Sequence, residues 1–174
     1  PKPLTVEVLD VLETVLGRSP QHPLAIHLYI HAVEASSAPE CAEAFADTLR
    51  TLVPSAGHLV HMPSHIYWRV GRYADASAAN VLAAAVDEAY IAACNAQGFY
   101  PAAYYPHNIH FLWAASTMEG RSAIAIESAR KVAANVQLEM IEQFPGVEFF
   151  NTIPLLALTR FGRWDEILLE PAPP

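Results

Sequence analysis

Histidine carries the chemistry in this chain. Its imidazole is a neutral nitrogen ligand for transition metals and an acid–base group near neutral pH. The stretch "GHLVHMPSHIYWRVGRY", residues 57–73, sets His58, His61 and His65 at i, i+3 and i+7. On one helix these side chains fall within about 60° of one another. In "HLYIHAVE", His27, His31 and Glu34 share a face, and two imidazoles with a carboxylate form a ligand set typical of zinc or non-haem iron. The segment "HNIHFL" adds His107 and His110.

These residues must be positioned by helices. Alanine is abundant, β-branched runs are short, and apolar residues recur at helical spacing. The pattern predicts an all-α chain of about eight or nine helices, near 4–16, 23–36, 39–53, 56–70, 73–97, 106–118, 121–143, 147–160 and 163–169. Pro23 and Pro106 suit first helical turns, Ser55 is a candidate N-cap for the helix bearing His58, and Gly71, Gly120 and Gly162 mark turns between helices. Those turns recur in "WRVGRYADASAAN", "STMEGRSAIAIES" and "LTRFGRWDEILLE", and "EASSAPECAEAFA" fits the same frame with Ser37 in place of glycine.

The histidines keep a register with these turns. Thirteen residues before Gly71 and Gly120 stand His58 and His107; ten before Ser37, Gly71 and Gly120 stand His27, His61 and His110; six before Ser37 and Gly71 stand His31 and His65. Of eight histidines only His22 lies outside these three classes.

The interval from Ser37 to Gly71 is 34 residues, the period of the tetratricopeptide helix–turn–helix unit. With "YWRVGRYADASAANVLAAA", where Gly71, Tyr73, Ala76 and Ala83 fall on small and aromatic positions, the chain resembles the tetratricopeptide-repeat family. Its stretches "HPLAIHLYIHAVEAS", "AGHLVHMPSHIYWRVGRY" and "HNIHFL" look like a His-rich bacterial subgroup of such repeats. The next intervals, 49 and 42 residues, are longer than the family period, and the first unit lacks its turn glycine. The resemblance implies a right-handed superhelix of antiparallel helix pairs running through residues 1–174 as a single repeat domain, whose first helices line a concave face. All seven registered histidines lie on first helices and would then share one groove.

A common groove calls for a common reason, because a buried imidazole nitrogen without a partner costs about 1–3 kcal/mol. Metal coordination supplies one: each ring gives one nitrogen to the ion and the other to an outer acceptor. One or two ions held by His27, His31, His58, His61, His65, His107 and His110 is the leading expectation. An all-nitrogen set suits copper, zinc, iron or nickel. Glu34 is the nearest candidate general base if the metal does chemistry, although a plain helix-end carboxylate is an equal reading; no catalytic residue is assigned. The competing reading is a non-catalytic scaffold that binds a peptide or protein segment in the same groove, and a third is a pH-responsive surface.

Pro63 interrupts the central histidine helix, so either the helix kinks there or regular helix starts there. Tyr29, Tyr67, Trp68 and Trp113 are spaced like packing residues, whereas Tyr104, beside Tyr105, and Arg69, in register with Arg160, are candidate ligand contacts at the groove's edge.

The totals exclude other classes. With a formal net charge of −8 and no basic cluster, neither a nucleic-acid groove nor an anionic membrane surface is expected as partner. No apolar run has the length of a membrane span and no signal peptide is evident, which points to a soluble chain, cytoplasmic or periplasmic. Two cysteines, Cys41 and Cys94, are too few for a disulfide framework and are expected as buried thiols. At 53% hydrophobic and 16% charged, opening without methionine and stopping in "EPAPP", the chain is expected to be a portion of something longer, truncated at both ends.

Overall fold

The computed structural model describes residues 3–136 and 138–171, the side chain of Leu138 excepted. Among them there is no strand, and neighbouring helices pack on one another, as the all-α reading requires. The α-helices are α1 (Thr5–Arg18), α2 (Pro23–Val33), α3 (Glu43–Leu52), α4 (Gly57–His61), α5 (Pro63–Arg69), α6 (Tyr73–Cys94), α7 (Tyr105–Met118), α8 (Ser122–Ala134), α9 (Leu138–Gln143), α10 (Ile153–Arg160) and α11 (Trp164–Ile167). Shorter 3₁₀ segments cover Pro39–Ala42 and Pro145–Thr152, and a π-helical turn covers Tyr100–Tyr104. No described helix is long and apolar enough to cross a membrane.

Several expected helices are divided. The 39–53 and 147–160 helices each begin as a 3₁₀ segment with proline in its first turn, and 121–143 breaks between α8 and α9. Ser55 is not the cap of α4; Ala56 holds that position without a side-chain bond. Pro23 and Pro106 do sit in first turns. His22, the histidine outside the register, caps α2: its Nδ1 accepts the Ala25 N–H at 3.2 Å. Cys41 and Cys94 are exposed thiols rather than buried ones.

The chain packs as two compact units, Pro1–Val86 and Asp87–Pro174. In the first, α1 packs on α2, α2 on α3 and α5, and α3 on α4 and α5. Ile26, Ile30, Leu49, Ile66 and Tyr67 form its fully buried centre. Burying such side chains stabilises the fold by roughly 1.5–3 kcal/mol each. Polar ties fix the register of these helices. The Arg72 guanidinium donates to Glu43 at 2.8 Å and to Asp75 at 2.9 Å, and pairs with Asp47 at 2.9 Å. It lies 4.3 Å over the Tyr67 ring, whose hydroxyl donates to Asp47 at 2.8 Å. In the second unit α7 packs on α8, α8 on α10, and α10 on α11.

Regular helix ends at His61 and begins again at Pro63, so the stretch is two short helices in succession. Met62 between α4 and α5 keeps right-handed helical dihedrals, φ −50° and ψ −38°. The His65 N–H bonds the Met62 carbonyl at 3.2 Å, a tightened turn around the proline that has no N–H to give. Gly71 closes α5 with φ +82°, and the Arg72 N–H returns to the Tyr67 carbonyl at 2.8 Å. That is the left-handed closure for which glycine is favoured.

Replacing Gly71 by alanine forces a side chain into left-handed backbone, at about 1–2 kcal/mol. Since the added Cβ meets nothing within 4 Å, the loss should be pure strain. Urea unfolding of the Gly71→Ala variant should show stability lowered by that amount with helical content unchanged. No loss would contradict the assigned turn.

Candidate metal centre

Five imidazoles and one carboxylate of the first unit converge. Helix α2 carries His27 and His31, with Glu34 at its C-cap; α4 carries His58 and His61, and α5 carries His65. Ring centroids lie 4.9 Å apart for His27 and His31, 5.0 Å for His27 and His58, 5.1 Å for His31 and His65, 6.0 Å for His58 and His61, and 4.8 Å for His61 and His65. The packing of α2 and α4 on α5 brings rings from three helices together.

The outer nitrogens of His31, His61 and His65 are anchored. His61 Nδ1 lies 2.6 Å from Asn80 Oδ1. The amide orientation follows from its other end, where Asn80 Nδ2 donates to the Ala76 carbonyl at 2.8 Å. Oδ1 can only accept, so His61 Nδ1–H donates. His65 Nδ1–H donates to Glu34 Oε2 at 2.5 Å, and His31 Nδ1–H donates to Glu34 Oε1 at 3.0 Å.

Those bonds determine what the inner nitrogens present. In neutral rings, protonation at Nδ1 leaves Nε2 with a lone pair. The Nε2 atoms of His61 and His65 are 2.9 Å apart in a site where the two residues are 0% and 7% exposed. Two lone pairs at that distance repel unless a positive centre, a proton or a metal ion, joins them. His27 Nε2 and His58 Nε2 lie 3.3 Å apart, a contact that one ring's N–H satisfies by donating to the other's nitrogen. Two metal-bound nitrogens at about 2.0–2.1 Å from a tetrahedral ion stand about 3.4 Å apart.

The electrostatics favour neutral His27 and His58 and a charged Glu34. Burial, aided by the nearby His27, His31 and His65, lowers the His58 pKa to about 4; burial with His31 and His65 lowers that of His27. For Glu34, burial alone would raise the pKa, but hydrogen bonds from His31 and His65 prevail and hold it at about 2. A group with that pKa and both oxygens engaged orients the rings; it is a weak base.

Two groups of side chains in this unit could therefore hold a metal ion: His27, His31 and His58, and His31, Glu34 and His65. In each, one ligand atom per residue lies within 4.8 Å of the others. Arg69 is exposed at the end of α5. The other expected site residues belong to the second unit. There His107 stands edge-on to Phe111 at 4.9 Å. His110 stacks on Trp113 at 5.1 Å beside Phe149 and Phe150, where burial lowers its pKa to about 4. Tyr104 packs against Phe99 and Tyr100. Sequence reasoning missed Asn80; an asparagine within an Ala-rich helix was its only signal.

The fold and the clusters define an all-α protein with histidine groups able to hold a metal. Compared with known proteins, the chain matches no family model, no curated protein and no solved structure.

Acid should destabilise the metal-free protein in two windows. The pKa values of His58 and His110 are about 4 in the fold against an ordinary 6.5, so the unfolded chain takes up protons first. Their contribution is complete above pH 6.5 and is lost as pH falls toward 4. Glu34 lies at about 2 against 4.5, so its contribution is present above 4.5 and is lost as pH falls through about 2. Urea midpoints should decline through the first window, and the paired His58→Gln and His110→Gln variant should flatten that decline. A midpoint constant across it would refute the buried neutral rings.

Proposed function

We propose that the first unit is a transition-metal-binding module built on tetratricopeptide-like helix pairs. His27, His31 and His58 hold one ion, and His61 with His65 offers a second position. Asn80 and Glu34 set the protonation of the rings from behind. The single observation that carries this reading is the pair of Nε2 atoms 2.9 Å apart on His61 and His65, each ring's other nitrogen already donating to an oxygen. A shared proton would also join this pair; His27, His31 and His58, whose ligand atoms lie within 4.8 Å of one another, add the donors that an ion needs. The donors are nitrogen without thiolate, which suits copper, zinc or iron. Metal-dependent chemistry follows if a coordination position stays open to water.

Untagged protein loaded with zinc or copper and freed of excess metal should retain one or two ions per chain by elemental analysis. The melting temperature should rise and fall back with chelator. An ion bound only by the folded chain stabilises it by about 2.7 kcal/mol at a free concentration a hundredfold above its Kd. The His27→Ala, His58→Ala double variant and the His61→Ala, His65→Ala double variant should each lose metal while keeping wild-type helicity. Wild-type metal content in both double variants would exclude the reading.

Asn80→Ala should leave the His61 Nδ1–H with only the longer 3.3 Å contact to Ser64 Oγ, lowering stability by about 1 kcal/mol and weakening metal retention. Unchanged retention would remove Asn80 from the positioning role.

A further inference from the structure

The charge at this centre does not balance. Every donor in the group of His27, His31 and His58 is a ring, neutral when it binds an ion. A divalent ion there keeps both positive charges. The carboxylate in contact is Glu34, whose Oε1 accepts from His31 at 3.0 Å and whose Oε2 accepts from His65 at 2.5 Å. It offsets one charge from behind the rings, on the far side of His31 from the inner nitrogen. Three protein ligands leave a fourth tetrahedral position. The His31 side chain is 40% exposed, so this side of the cluster meets solvent.

We infer that the loaded centre binds a small monovalent anion from solution as its fourth ligand, coordinated directly to the ion beside His27, His31 and His58. The ligand class is a monodentate anion such as hydroxide, azide or a simple carboxylate. The inference rests on the metal reading above and adds a second binding event to it. No electron changes hands: the incoming anion displaces water from the ion.

The test uses the whole chain loaded with copper(II) and titrated with azide, read by the azide-to-copper charge-transfer absorption. A saturable band of one azide per ion in this group, absent from metal-free protein, is expected. Glu34→Gln removes the offsetting charge and should tighten azide binding several-fold. Copper bound without an azide band overturns the inference and leaves the metal reading standing. A band seen in Glu34→Gln and absent from wild type also overturns it, because Glu34 itself then occupies the anionic position. Failure of copper to bind removes both, with unchanged far-ultraviolet circular dichroism showing that the loss is not unfolding.

Discussion

The carboxylate of Glu34, accepting one N–H from His31 and another from His65, is the interaction on which the site depends. An imidazole has two nitrogens, and the partner of the outer one decides what the inner one offers. Glu34 accepts hydrogen bonds from rings on α2 and α5 at once, so a single residue at the end of α2 fixes two tautomers and two ring planes. Asn80 does the same for His61 from α6, with no charge. The consequence is a set of imidazoles whose inner nitrogens face one another, an arrangement that could hold a metal ion.

The frame around it is built to keep these distances. The Arg72 guanidinium ties Glu43 and Asp47 of α3 to the turn before α6 and covers the Tyr67 ring of α5. The turn itself closes through Gly71, and α5 is joined to α4 through Met62, just before Pro63. His61 and His65 stand four residues apart, neighbours on one helical face, and their Nε2 atoms lie 2.9 Å apart across the junction at Pro63.

Much of this was legible in the sequence, and the reasons differ by residue. Helical class followed from periodicity, and the turns at Gly71, Gly120 and Gly162 followed from glycine's access to positive φ, found at all three. The convergence of His27 and His31 with His58, His61 and His65 was visible as a register, because helices stacked at a regular interval repeat their facing positions. Helix boundaries were less legible: proline in the first turn at Pro39 and Pro145 tightens the entry to 3₁₀, a local competition that apolar spacing does not encode. Asn80 was invisible because its role exists only once α6 lies beside α4. His22 stood outside the register for a simple physical reason: it caps α2. Cys41 and Cys94 lie in Ala-rich stretches that look apolar, yet they fall on exposed positions, since composition says how apolar a segment is and not which way one residue points.

The tautomers of His61 and His65 test the central claim most directly, because the donors and acceptors around them leave one assignment. Long-range nitrogen–proton spectra of the histidine side chains in zinc-loaded protein should show both rings protonated at Nδ1, with Nε2 shifted to the metal-bound range. Protonation at Nε2 in both rings would contradict the account, because Asn80 and Glu34 would then face bare Nδ1 atoms and the inner nitrogens would have nothing to give a metal.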